Sequence, residues 1–321
     1  MLTLIADLGD LLRLHAAYNA ATVVELARAA GGPVHLASPP DPESPVRAAL
    51  EVSGLELREV APDWAWAEGE AEQMREFLQA YPQGQERLRA AGQAQRALAE
   101  ALAGTLTAAR VHGPELLGAA DAYHRLVREQ LGEGPGNAHR KRRLEALRSR
   151  LEGASGVLVA PLDDLPELLR VLPDARLPAL GDFRPGESSR LRALADRALR
   201  LEEGDDLEAL VRNLLEAEGD ALTPGAELRY AAANVYLAVG DLPSARSLLE
   251  EAGHAQLERP PRYLFGLVYA RLGQVRDALG DRENALRAYR AVLALPWAPQ
   301  AALEAARAGL ELPFTLEVEE R

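Results

Sequence analysis

Four residues at and just beyond the end of the first apolar run, Asp7, Asp10, His15 and Asn19, have side chains suited to acid–base chemistry. A carboxylate that orients an imidazole is the minimal proton-transfer pair. His15 and Asn19 stand four apart and would share one helix face. Asp163 and Asp164 follow a later apolar run and could join them, so Asp10, His15 and Asp163 are the candidate catalytic residues. The competing reading is structural: Asp10 caps a helix beginning at Leu11 and His15 packs locally. The sequence favours that second reading.

Other chemistries are thinly provided for. The six histidines, at 15, 35, 112, 124, 139 and 254, form no close pair and no HExxH spacing, and there is no cysteine, so no metal and no cofactor are expected. His124 and Arg128 share a helix face but bring no second imidazole. The glycine-rich stretch Gly132-Glu133-Gly134-Pro135-Gly136 follows a helical pattern instead of a strand, and Pro135 lacks a donor, so it is not a phosphate loop. A basic cluster, His139-Arg140-Lys141-Arg142-Arg143 with Arg148 and Arg150, interleaves with the apolar stripe Leu144, Leu147 and Leu151. It reads as the solvated side of an amphipathic helix, with an acidic partner or a phosphate ligand as the functional alternative.

The elements that would position these residues fall into two parts. Residues 1–183 read as an α/β domain with a mostly parallel sheet: Leu2 to Leu8 is a strand, Leu11 to Ala30 a helix and Val34 to Ala37 a second strand. Leu55 to Val60 is a third strand, Gly156 to Ala160 a buried fourth and Ala175 to Leu180 a fifth, with a short helix from Pro166 to Leu172. Between them lies a helical insertion, about 68–151, broken at Tyr81-Pro82, His112-Gly113-Pro114 and Gly134-Pro135-Gly136. Any catalytic site would sit past the carboxyl ends of the parallel strands.

Acidic residues outnumber basic ones 49 to 36 in the 321-residue chain, a field that argues against nucleic acid as a partner. No apolar stretch approaches the roughly 18 residues of a membrane span, and the first residues lack a signal peptide's basic start, so no membrane partner is expected and the chain reads as cytoplasmic. Lysine occurs once, at Lys141, while arginine, alanine and leucine abound, which is the usage of a GC-rich bacterial genome.

Residues 184–321 carry an internal repeat. Gly204-Asp205, Gly240-Asp241 and Gly280-Asp281 are spaced by 36 and 40 residues, and each glycine is followed five positions on by Ala209, Ala245 or Ala285. The glycine closes one helix, the aspartate caps the next, and the alanine lets the two pack closely. Tyr269, Leu272, Gly273, Gly280, Ala285, Tyr289 and Pro296 follow in order the pattern of the tetratricopeptide family, which this all-α part resembles. A second unit keeps Tyr236, Gly240, Ala245, Leu249 and Ala252 but has Ala233 where the family's first glycine stands. The extra length of the longer spacing is assigned to the loop around Arg259-Pro260-Pro261, and Pro299 to Leu312 reads as a capping helix.

The resemblance implies a concave groove that takes a protein or peptide partner, formed by Leu194, Glu227, Tyr230, Asn234, Leu267, Arg271 and Gln274. An Asn and an Arg there are similar to part of a carboxylate clamp, but the clamp's lysines are missing. The implied function is a protein-binding adaptor or regulatory protein.

The N-terminal part resembles the superfamily of TraB, haem-binding ChaN and erythromycin-esterase-like proteins, through Leu8-Gly9-Asp10 with His15 and through Val157 to Asp163. Pro161, Leu162 and Asp163 replace the Gly and His of the second motif, so the resemblance implies a degenerate site, with a hydrolase as the alternative function. Ile5 to Asp10 is also similar to the opening motif of metallophosphoesterases, but Gly9 stands in place of its His and the completing motifs are absent.

Overall fold

A computed structural model describes residues 1–62, 66–132 and 134–316. The chain divides into two compact units, Met1–Leu50 with Gly54–Gly186, and Glu187–Arg321 with the short stretch Glu51–Ser53. None of the described helices is long and apolar enough to cross a membrane.

The first unit runs β1 (Leu2–Asp7), α1 (Ala20–Ala30), β2 (Val34–Leu36), α2 (Pro45–Val52) and β3 (Leu57–Glu59). Five further helices follow: α3 (Trp66–Gln79), α4 (Pro82–Leu102), α5 (Ala108–Val111), α6 (Pro114–Leu131) and α7 (Pro135–Arg150). The unit closes with β4 (Gly156–Pro161), α8 (Leu165–Val171) and β5 (Ala175–Arg176). The five strands form one parallel sheet in the order β3-β2-β4-β1-β5. The side chains of β1, apolar except for Thr3 and the terminal Asp7, are buried on both faces, as expected of a central parallel strand. Each proline break in the insertion opens a helix: Pro82, Pro114 and Pro135 take the first helical position, where the missing N–H is not needed.

The topology fixes where side chains can meet. From β1 the chain crosses to β2 on one side, and from β4 it crosses to β5 on the other. β1 and β4 pair in register from Leu2–Gly156 to Asp7–Pro161, so their carboxyl ends lie side by side at the switch.

Two sequence expectations for this unit are corrected. No helix begins at Leu11: a single 3-10 turn covers Gly9–Arg13, and α1 starts only at Ala20. Asn19, and not Asp10, is the cap, its Oδ1 accepting from Thr22 N at 3.1 Å while the Thr22 hydroxyl oxygen accepts from Asn19 N at 3.2 Å. The buried Tyr18 hydroxyl donates to the Ala6 carbonyl at 2.6 Å and pins the segment to β1 before the helix can start. The last strand also stops at Arg176, two residues before Pro178.

The second unit is all helical: α9 (Glu187–Arg197), α10 (Leu207–Glu216), α11 (Gly225–Ala238), α12 (Leu242–Gly253), α13 (Leu264–Ala278), α14 (Arg282–Ala294) and α15 (Gln300–Glu311). α11 with α12 and α13 with α14 make hairpins that turn at Gly240 and Gly280, both in the left-handed region at φ 80° and 78°. Asp241 and Asp281 then cap α12 and α14 through Ser244 N at 3.1 Å and Asn284 N at 3.4 Å. Ala245 and Ala285 are fully buried where the helices pack.

The first repeat departs from this plan. Gly204 also has a positive φ, yet α9 has already ended at Arg197, and α10 is capped by Asp206, one residue later than the repeat predicts. Asp205 pairs with Arg197 instead and accepts from Glu202 N at 2.7 Å. The position four after the cap is therefore Leu210, which joins the core, and Ala209 stays half-exposed.

Candidate functional site

At the carboxyl end of β1 a chain of polar groups is packed under the surface. Asp7 is buried; its Oδ1 accepts from Gly9 N at 2.8 Å and its Oδ2 from the Ser38 hydroxyl at 2.5 Å. Burial raises the Asp7 pKa above the usual carboxylate value and the nearby Asp10 and Asp41 charges add to that, against the lowering by Ser38 and Gly9. His112, at the end of α5, lies against the same strand, with Ala6 N donating to its Nε2 at 3.1 Å and its Nδ1–H donating to the Ala108 carbonyl at 2.9 Å. Acceptance at Nε2 requires the neutral ring, and burial lowers its pKa to about 4 against the raising effect of the Ala108 bond. Tyr18 meets the His112 ring edge-on at 5.8 Å, and its hydroxyl is raised well above its ordinary pKa by burial and by the Asp7 charge.

A second cluster follows β4. His124 of α6 and Asp163 form an imidazole–carboxylate pair at 2.9 Å. Asp164 is fully buried and faces two guanidinium groups of α7, Arg140 at 3.1 Å and Arg143 at 2.5 Å. Burial would raise the Asp163 carboxyl, but the His124 hydrogen bond and the charges of His124, Arg140 and Arg143 outweigh it and hold the pKa low. Asp164, more enclosed, is pushed up by burial in spite of its arginines. Ligand atoms of His124, Asp163 and Asp164 lie within 4.8 Å of one another, close enough for a metal ion, although both Asp164 oxygens already face cations.

The predicted catalytic trio is redistributed by this geometry. Asp10 is exposed and ion-paired to Arg13 three residues on, and His15 is half-buried in the connection between the 3-10 turn and α1. With no helix there, His15 and Asn19 share no helix face. Asp163 finds its imidazole in His124, 39 positions away in sequence. His112, Tyr18 and Ser38, which no local spacing singles out, surround the end of β1 instead.

The basic cluster of α7 is also divided. His139 Nε2 lies 3.0 Å from the Glu70 carboxylate, Arg140 and Arg143 hold Asp164, and Arg150 donates to the Val60 and Ala61 carbonyls at 3.0 and 2.6 Å. These side chains tether the helix. Lys141, Arg142 and Arg148 remain at the surface.

In the second unit the predicted groove separates into core and cavity. Glu227 and Tyr230 are core residues, which corrects their assignment to a recognition face. Arg192 of α9 donates to Glu227 Oε1 at 2.6 Å, and the Tyr263 hydroxyl donates to the same carboxylate at 3.0 Å, so neighbouring helices have filled the face that the register leaves open. Tyr230 joins the cluster of α11, α12 and α13. Leu194 and Leu267 are half-buried and pack against the apolar clusters. Asn234 and Arg271 line a cavity of about 670 Å³ whose other walls are apolar, including Leu199, Leu237, Val239, Phe314 and Leu316. Gln274 is not part of the cavity lining, but its Oε1 accepts from Arg271 Nη1 at 2.9 Å. Set against protein-family models, curated proteins and solved structures, the chain matches none.

Proposed function

We propose that the protein is a binding adaptor of tetratricopeptide type, whose second unit takes an extended peptide carrying an apolar side chain next to a carboxylate. The observation that carries this reading is Arg271. Its guanidinium meets the neutral Gln274 side chain, has no ion-pair partner among the described residues, and keeps a buried Nε without a hydrogen bond, at the wall of a cavity whose lining is apolar apart from Asn234. A half-buried cation whose Nε is shielded from water gains when a counter-charge arrives. The apolar walls select what must accompany that charge. Repeating hairpins with Gly-Asp turns and buried alanines support the family reading.

The test is a library of eight-residue peptides in which Leu or Phe is flanked by Glu or by Lys. The acidic set should bind, and Arg271→Ala should lower its affinity by about 1–2 kcal/mol with little change in melting temperature. Equal binding of both sets, or no loss in the variant, refutes the reading.

A second reading, a hydrolase in the first unit, draws on the His124–Asp163 pair past the carboxyl end of β4. An ester- or phosphoester-cleaving activity that is lost in a folded His124→Ala variant would support it. Its absence from such screens leaves the adaptor reading alone.

A further inference from the structure

We propose that the first unit holds a site for a small phosphate ester, in the cavity of about 270 Å³ walled by α6, α7 and α8. Three helix faces converge there. α6 contributes His124 and Arg128, four residues apart, and α7 contributes Asn137, Arg140, Lys141 and Arg148. The charge balance is the argument. Arg140 is already compensated by Asp164, and Glu167 by Arg170. Arg128, Lys141 and Arg148 have no ion-pair partner among the described residues, and Glu145 is the wall's one unpaired acid among them, which leaves an excess of two positive charges facing one cavity.

That excess matches a phosphomonoester, which carries about −1.5 to −2 at neutral pH. Two guanidinium forks and an ammonium supply the donors its three terminal oxygens accept. Leu144 and Val171 add an apolar surface to the same cavity, which suits the organic part of an ester better than a bare ion. A solvated helix face accounts for Arg142, but it gives no reason for an excess of two positive charges to line one cavity on a chain of net charge −13. That same net charge, with the small volume, favours a small ester over a nucleic-acid backbone.

The site is tested by calorimetric titration of the full chain with phenyl phosphate, and separately with inorganic phosphate, at matched ionic strength. Phenyl phosphate should bind more tightly than inorganic phosphate. The Lys141→Ala/Arg148→Ala double variant should lose at least about tenfold in affinity, with an unchanged melting curve because both residues are exposed. Arg142→Ala, outside the cavity, should bind as the parent does. The proposal is overturned by no binding up to about 10 mM, or by a double variant that binds as well as the parent. It is equally overturned if a labelled single-stranded RNA binds and phenyl phosphate neither binds nor competes, since the patch would then read a polyanion.

Discussion

Replacing Gly273 with alanine should destabilise the helical unit, although the same change at most helical glycines does the reverse. Gly273 lies inside α13, where alanine gains about 1 kcal/mol of helix propensity. Its added Cβ, however, would stand 2.4 Å from Cε1 and 2.6 Å from Cδ1 of Tyr289, well inside the roughly 3.5–4 Å of an ordinary carbon contact. The ring cannot retreat. On its other side Gly309 is equally close, a Cβ there standing 2.2 Å from the ring's Cζ, and the Tyr289 hydroxyl donates to Asp277 Oδ2 at 2.9 Å. Asp277 is itself held by Arg282 at 2.9 Å and by Phe314 N at 2.9 Å. Overpacking then falls at the upper end of the usual range of about 1–3 kcal/mol. The net loss is about 2 kcal/mol, or roughly 6–10 °C in the melting of a unit this size.

A double-mutant cycle isolates the cause. In a Tyr289→Ala background the clash is gone, so Gly273→Ala should become stabilising by up to about 1 kcal/mol, giving a coupling energy of about 3 kcal/mol. Gly118→Ala is the control: this exposed glycine of α6 has no atom within 4 Å of an added Cβ, and the change should stabilise by about 0.5–1 kcal/mol. If Gly273→Ala has the same sign and size with and without the Tyr289 ring, the packing argument is refuted.

Three further outcomes are expected. Glu227→Ala should cost about 3 kcal/mol in urea unfolding, because it strands the buried Arg192 with Asp196 as its remaining acid at 3.0 Å; a change below about 1 kcal/mol would return Glu227 to the recognition face. His112 should make the first unit acid-sensitive: its pKa falls from 6.5 when unfolded to about 4 when folded, so the unfolded state binds the extra proton and stability drops as pH falls through that window, by roughly 3 kcal/mol in all. Proton NMR showing this imidazole charged at pH 6 in the native state would contradict that. Asp7→Asn should raise the melting temperature at pH 7, since the folded pKa is raised and the folded state favours the protonated carboxyl; the gain should shrink as pH falls through that raised pKa, and an unchanged gain at acid pH would show that charge is not the cause.

The parts of the fold that could be read from the sequence are those decided by neighbours in the chain. β1 and β4 are dominated by apolar residues because both faces are buried. Pro82, Pro114 and Pro135 mark helix starts because each fixes its own φ and needs no N–H partner. Gly240-Asp241 and Gly280-Asp281 are legible for the same reason, a left-handed residue followed by its own cap. In the first repeat two aspartates follow Gly204, and local chemistry does not choose between them. Arg197 does, by taking Asp205 and leaving Asp206 to cap α10.

The site follows the opposite rule, because each of its decisive pairs spans the fold. Ala6 N meets His112 across 106 positions and His124 meets Asp163 across 39. No spacing rule connects such residues until the sheet order sets the ends of β1 and β4 side by side. Tyr18 shows how tertiary contacts override local preference: once its hydroxyl holds Ala6, the chain is still extended at Asn19, so Asn19 becomes the cap and the helix predicted from Leu11 is lost. Glu227 and Tyr230 show the remaining gap in the second unit. Helical register names the face a residue occupies, but whether that face meets solvent depends on the next helix, and here α9 brought Arg192 to it. Arg271 sits on an equivalent face of the following hairpin without a carboxylate partner among the described residues. That missing counter-charge, and not the register alone, singles out Arg271 as the cation to test for recognition.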